Sequence, residues 1–138
     1  QMHPLAEGKV TLRLTEIDQL TVLGDQDRLK QVLVNLVGNA LKYTPTGGTV
    51  TVALKEENGQ AQITISDTGP GVPAEDLPHI FERFYRSEKS RTRSKDGGFG
   101  LGLSIARFLV RAHNGTITVA SEEGVGTTFT VTLPLANN

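Results

Sequence analysis

The stretch from Asp25 to Tyr43, DQDRLKQVLVNLVGNALKY, constrains this chain more than any other. Leu29, Val32, Leu33, Leu36, Val37, Ala40 and Leu41 recur at steps of three and four, which draws one apolar stripe along a helix. Asp25 suits the N-cap, and Pro45 followed by Gly47 and Gly48 stops the run soon after Tyr43. Asn35 and Asn39, four apart, and Lys42, three further on, project from neighbouring positions beside the stripe. Asn costs a helix roughly half a kcal/mol relative to Ala, so two of them mid-helix need a reason. An amide oxygen is a neutral ligand suited to a metal already neutralised by phosphates, and a Lys42 ammonium can reach the same phosphates. Two amides hydrogen-bonded to a neighbouring loop would explain the helix equally well.

The 138 residues, 37% hydrophobic, make a single domain over 1–138 with a core of its own. A formal charge of -1 lacks the basic excess that would point to nucleic acid or to direct membrane contact. With no cysteine there is no disulfide framework, thiolate zinc site or cysteine nucleophile. No apolar run approaches the roughly 20 residues of a membrane span, and the N-terminus lacks a signal-peptide pattern. A cytoplasmic setting is therefore expected. Gln1 ahead of Met2 reads as a fragment cut from something longer, with residues 1–8 a frayed linker remnant.

Along the chain, residues 9–14 alternate as a strand, and Leu20 to Leu23 suggest a short partner strand. After the long helix, 49–57 and 60–66 alternate around Asn58-Gly59, a hairpin signal. Leu77 to Phe84 can form a short helix, and the polar run from Arg86 to Gly98 has no period. Residues 100–113 predict a second amphipathic helix through Leu101, Ile105, Phe108 and Leu109, stopped at Asn114-Gly115. Alternating stretches at 116–121 and 127–134 flank an EEGVG turn. Hairpins with interleaved one-faced helices imply an α+β two-layer sandwich, a mixed, mainly antiparallel sheet covered on one face by helices.

Asp67 ends the 60–66 strand and enters Thr68-Gly69-Pro70-Gly71. A carboxylate at a strand end, above small residues, can accept from an exocyclic amine such as that of adenine, and Gly69 and Gly71 let backbone approach a flat ring. An Asp that merely starts a turn has the same signature. Gly97-Gly98-Phe99-Gly100-Leu101-Gly102 opens the second helix, where free N–H groups and the positive dipole end favour an anion. Its spacing fits neither the dinucleotide fingerprint nor a P-loop, and a hinge would look similar. The basic run from Arg86 to Lys95 reads as a solvated loop or as a lid over a polyanion. Phe81, Phe84 and Tyr85 would anchor the base of such a lid, or simply pack in the core. His113, beside Asn114-Gly115, reads as a dipole-matched cap at a helix C-terminus.

In order, NLVGNALKY, DTGPGVP, IFERFYR, GGFGLGLSIA and GVGTTF resemble the N, G1, F, G2 and G3 boxes of sensor histidine kinases. The resemblance spans roughly residues 9–135 and implies the Bergerat (GHKL) fold. It also implies that the chain binds ATP and Mg2+ and passes the γ-phosphate to a histidine on a separate dimerisation hairpin absent from this chain. By that resemblance Asn39, with Asn35, holds magnesium, Lys42 touches phosphate, and Tyr43 packs beside the adenosine. Asp67 would accept from the adenine amine, Gly69 and Gly71 would line the pocket, and Thr127 would reach the adenine through water. Gly98, Gly100, Leu101 and Gly102 would shape the phosphate loop, and 86–98 would be the ATP lid. Partners would be the histidine-bearing dimerisation domain of the same kinase and a response regulator receiver domain, within a parent protein that can be membrane-anchored.

Phe99 departs from the small or hydroxyl residue usual in the glycine box, and His3 is followed by Pro4 where an acidic residue follows the phosphoacceptor histidine. Two rival readings remain. A GHKL ATPase or anti-sigma-type serine kinase typically carries Glu at the position of Asn35 as a base, and Asn cannot take a proton at neutral pH. A non-catalytic nucleotide-sensing module would keep the pocket without the transfer.

Overall fold

The computed structural model describes residues 10–17, 22, 24–82 and 102–135. Strand β1 (Thr11–Ile17) precedes helix α1 (Gln26–Tyr43), strands β2 (Thr49–Glu57) and β3 (Gln60–Asp67), and a 3-10 turn at Leu77–His79. Helix α2 (Gly102–Ala112) then leads to strands β4 (Thr116–Glu122) and β5 (Gly126–Pro134). The strands form one five-stranded sheet in the order β1-β2-β3-β5-β4. β1 runs parallel to β2, with α1 as the crossover, and every other pair is antiparallel.

Alternation decides which face is buried. Val50, Ile65, Phe129, Val131 and Leu133 are buried against Val32, Leu36 and Ala40 of α1 and Leu103, Ala106 and Val110 of α2. The layers are those expected: helices on one face of a mixed, mainly antiparallel sheet.

Helix α1 starts and stops where its sequence dictates. The Asp25 carboxylate accepts from the Arg28 amide at 3.1 Å, the N-cap bond. At the other end, the Thr44 hydroxyl and amide both donate to the Ala40 carbonyl, at 2.7 and 3.1 Å.

Two expectations need correction. Of the stripe expected on helix α2, Leu109 is buried but Ile105 and Phe108 are 39% and 70% exposed, and Leu101 lies outside the described residues. The helix must contact α1 and the sheet together, and Leu103, Ala106 and Val110 are the side chains that meet both. Of the helix expected over 77–84, Leu77–His79 form a 3-10 turn, residues 80–82 are not helical, and residues 83 and 84 lie outside the described ones. Of the short strand expected at 20–23, Val22 makes an isolated bridge to Leu135, and the other three residues lie outside the described ones.

His113 caps the end of α2. Its Nε2 accepts from the Asp25 amide, so Nδ1 donates to the Leu109 carbonyl at 2.8 Å. The ring also braces the end of α2 against the start of α1.

Candidate nucleotide site

Asn35, Asn39 and Tyr43 follow at four-residue steps on one side of α1, and Asn35 faces the start of α2. The Asn35 amide donates through Nδ2 to the Gly102 carbonyl at 3.2 Å, and its Oδ1 accepts from Gln31 Nε2 at 2.7 Å. Asn35 thus ties α1 to the last residue of the glycine cluster, where α2 begins. The half-buried Asn39 amide makes no hydrogen bond among the described residues. Its oxygen is therefore open to a ligand, whereas that of Asn35 has one lone pair already engaged.

A cleft of about 600 Å³ lies between the end of α1 and the loop after β3, lined by Lys42, Tyr43, Thr44, Pro45, Thr68, Gly69 and Pro70. That volume is in the range of small-molecule sites. The Lys42 ammonium sits over the Tyr43 ring, 5.5 Å from its centroid. Gly69 is buried at the wall, where a Cβ would stand 3.0 Å from both the Tyr43 carbonyl oxygen and Asp67 Oδ1. A side chain there would press on both the end of α1 and Asp67.

Asp67 is half-buried behind this wall. Its Oδ1 accepts from the Gly69 amide at 2.8 Å. Burial raises its carboxyl above the ordinary value of 3.8, opposed by hydrogen bonds from the Gly69 and Thr127 amides. Thr127 is its cross-strand partner on β5 and is 7% exposed. The loop is locked against the β4–β5 turn as well: the Gly124 amide donates to the Pro70 carbonyl at 2.8 Å. A Cβ on Gly71 would collide with the Glu122 carbonyl, and one on Gly126, at φ +154°, with the Asp67 carbonyl.

The structure thus gathers Lys42, Tyr43, Gly69, Gly71, Asp67 and Thr127 around one end of the sheet, with Asn35, Asn39 and Gly102 beside it. Gly98, Gly100 and Leu101, the lid at 86–98 and the linker remnant at 1–8 lie outside the described residues. Phe81 is partly buried and meets Phe129 edge-on at 6.0 Å, with the Arg107 guanidinium 5.6 Å over its other contact surface.

Two participants went unread in the sequence. Gln31, one helical turn before Asn35, was visible as an (i, i+4) amide pair. Ser121 gave no signal, because its hydroxyl meets its partners only after three strands have paired. No cluster of three or more His, Cys, Asp or Glu spaced to hold a metal occurs among the described residues.

Residues 24–137 match the model of the histidine kinase-, DNA gyrase B-, and HSP90-like ATPase family. The chain belongs to that family. It is 45% identical to the adaptive-response sensory kinase SasA of Synechococcus elongatus, an alignment covering 98% of this chain and 35% of SasA. Among solved structures, the mycobacterial sensor histidine kinase MprB has a TM-score of 0.81 at 33% identity, over 91% of this chain and 84% of that one. Full-length ShkA in complex with AMPPNP has a TM-score of 0.80 at 33% identity, over 98% of this chain and 28% of that one. This GHKL-fold chain is the catalytic ATPase domain of the sensor histidine kinase type, and it spans about a third of the length of SasA. None of the described helices of this ATPase domain is long and apolar enough to cross a membrane.

Proposed function

We propose that this domain binds ATP with magnesium and presents the γ-phosphate to a histidine on a separate dimerisation segment of the same kinase. The observation that carries this reading is the state of Asn35. It is a neutral amide bonded at both ends, to Gln31 and to Gly102, at the position where an ATPase or serine kinase of this fold needs a base. Water and hydroxyl nucleophiles require a proton acceptor there, while a neutral imidazole nitrogen does not. Catalysis then consists of positioning and charge neutralisation.

Each residue has a role in that scheme. Asp67 accepts from the adenine 6-amine, and Gly69 and Gly71 form the wall against the ring. Tyr43 packs beside the adenosine, and Thr127 reaches the base through a water. Asn39 fits the metal through its open amide oxygen, with Asn35 behind it, and Lys42 meets the phosphates at the cleft mouth. Asn39 and Asn35 would hold magnesium, whose charge would offset the negative charge of the phosphates during transfer. Gly98, Gly100, Leu101 and Gly102 form the phosphate loop, and residues 86–98 the lid. The AMPPNP complex of the similar ShkA supports an adenine nucleotide as the ligand.

The acceptor domain and a response regulator receiver downstream of it follow from the same reading, in a parent protein that can be membrane-anchored. The test is to incubate the domain with labelled ATP, alone and with an excess of its histidine-bearing segment. The expected result is slow hydrolysis and no self-labelling alone, and an acid-labile phosphohistidine on the added segment. Rapid hydrolysis without acceptor, or label on a serine, would move the domain to the ATPase or serine-kinase branch. Tight binding with no transfer at all would make it a nucleotide sensor.

A further inference from the structure

Ser121 stands in one cross-strand row with Thr127 and Asp67: β4 pairs Ser121 with Thr127, and β3 pairs Asp67 with Thr127. Its hydroxyl is at the centre of three contacts. It accepts from the Val72 amide at 2.7 Å, meets the Gly126 carbonyl at 3.1 Å, and lies 2.9 Å from the Thr127 hydroxyl. A serine has one proton and two lone pairs. The Gly126 carbonyl can only accept and the Val72 amide can only donate, so the proton goes to Gly126. The remaining lone pair takes the proton of Thr127.

This arrangement has a chemical consequence for Thr127. With its proton committed to Ser121, its oxygen has only lone pairs left, so toward anything else it is an acceptor. The Asp67 carboxylate beside it is an acceptor too. Through Val72, the same serine also holds the loop that begins at Asp67, next to the Gly124–Pro70 bond.

We propose that Ser121 is a specificity-determining positioning residue: it fixes the Thr127 hydroxyl as an acceptor and pins the loop after Asp67, so that the site takes a 6-amino purine and rejects a 6-keto one. A 6-amine offers hydrogens to both acceptors, directly or through water. A 6-keto oxygen would face a carboxylate and a hydroxyl that has no proton to give. The inference rests on the reading that Asp67 receives the adenine edge.

The experiment measures ADP and IDP affinities by calorimetry for the parent domain and for the Asp67→Asn, Ser121→Ala, Ser121→Cys and Ser121→Thr variants. The readout is the ADP-to-IDP affinity ratio, in which any partial unfolding cancels because it scales both affinities alike. The parent should prefer ADP. Ser121→Ala frees the Thr127 proton to meet a keto oxygen, so the ratio should narrow by roughly three- to tenfold, the range of one ordinary hydrogen bond. Ser121→Cys, similar in shape but a poor donor and acceptor, should narrow it as well, and Ser121→Thr should restore it. A parent that prefers ADP, together with Asp67→Asn losing the preference and both Ser121→Ala and Ser121→Cys retaining the parental ratio, would overturn the role of Ser121 alone. A parent with equal affinity for the two nucleotides would instead overturn the placement of adenine at Asp67.

Discussion

The Asp25 amide donates to His113 Nε2 at 3.1 Å, so the residue that caps α1 is also tied to the residue just past α2. Gly24 lies against the same ring: a Cβ there would collide with His113 Cδ2. Gly24→Ala should therefore destabilise the domain in the parent, and much less so in a His113→Ala background. The coupling expected for side chains in contact is about 0.5–3 kcal/mol. Urea denaturation of the four proteins of this cycle measures it, and simple additivity would mean that the ring does not press on residue 24.

Asp67 carries a stability cost that depends on pH. Its carboxyl is raised above 3.8 in the folded protein, chiefly by burial, so the folded state holds that proton more tightly than the unfolded chain. Between 3.8 and the raised folded value, stability must fall as pH rises, and above that window the full cost of the buried charge remains. Asp67→Asn has no such charge. Its stability relative to the parent should rise through this window and then level off, while ADP binding weakens by about ten- to a hundredfold on loss of a charged hydrogen bond worth roughly 1.5–3 kcal/mol. Thermal melts across acidic to neutral pH, paired with ADP titrations, would show the two effects moving in opposite directions.

The two α1 asparagines should separate in their response to magnesium. Asn39, with no described hydrogen bond to lose, should tolerate Asn39→Ala with the fold intact yet lose the magnesium-dependent increment of ATP affinity. Asn35→Ala breaks the links to Gln31 and Gly102 and should cost about 0.5–1.5 kcal/mol of stability per bond while keeping the larger part of the increment. Calorimetric titrations with and without magnesium, alongside thermal melts, distinguish these patterns. An Asn39→Ala variant with an undiminished magnesium effect would remove Asn39 from the metal site.

An apolar hollow of about 160 Å³ lies under the first half of α1, lined by residues that include Leu29, Val32, Ala61, Ile63 and Val131. Ala61 sits within β3, where a β-branched side chain is favoured and two more methyl groups have space. Ala61→Val should stabilise the domain by roughly 0.5–2 kcal/mol. Chemical denaturation should show a higher midpoint with an unchanged slope; a lower midpoint would mean that the hollow cannot accept the branch.

What could be read from the sequence was local. The α1 stripe, its Asp25 cap and the Asn58-Gly59 hairpin depend on residues within a few positions of one another, and the structure has each where the pattern put it. The α2 stripe was only partly legible: Leu109 is buried and Ile105 and Phe108 are not, because a helix that lies on a sheet beside another helix buries the sides that meet them, which periodicity alone does not specify. Lys42, Tyr43 and Gly69 were legible as candidates by residue type, and their convergence on one cleft required the fold. The Ser121–Val72 and His113–Asp25 bonds were invisible for the same reason: they join residues 49 and 88 positions apart.

The β2–β3 turn stands at the opposite end of the sheet from Asp67. Asn58 and Gly59 both take left-handed backbone angles, φ 53° and 78°, and close the hairpin in two residues. At about 3.4 Å per residue, the length of β3 puts that turn roughly 25 Å from the carboxylate. It is exposed, and among the described residues no element of the site crosses it. A fluorophore or a guest domain grafted between Asn58 and Gly59 would thus ride on the sheet as a passenger, close enough to report on the domain and too far away to touch its ligand.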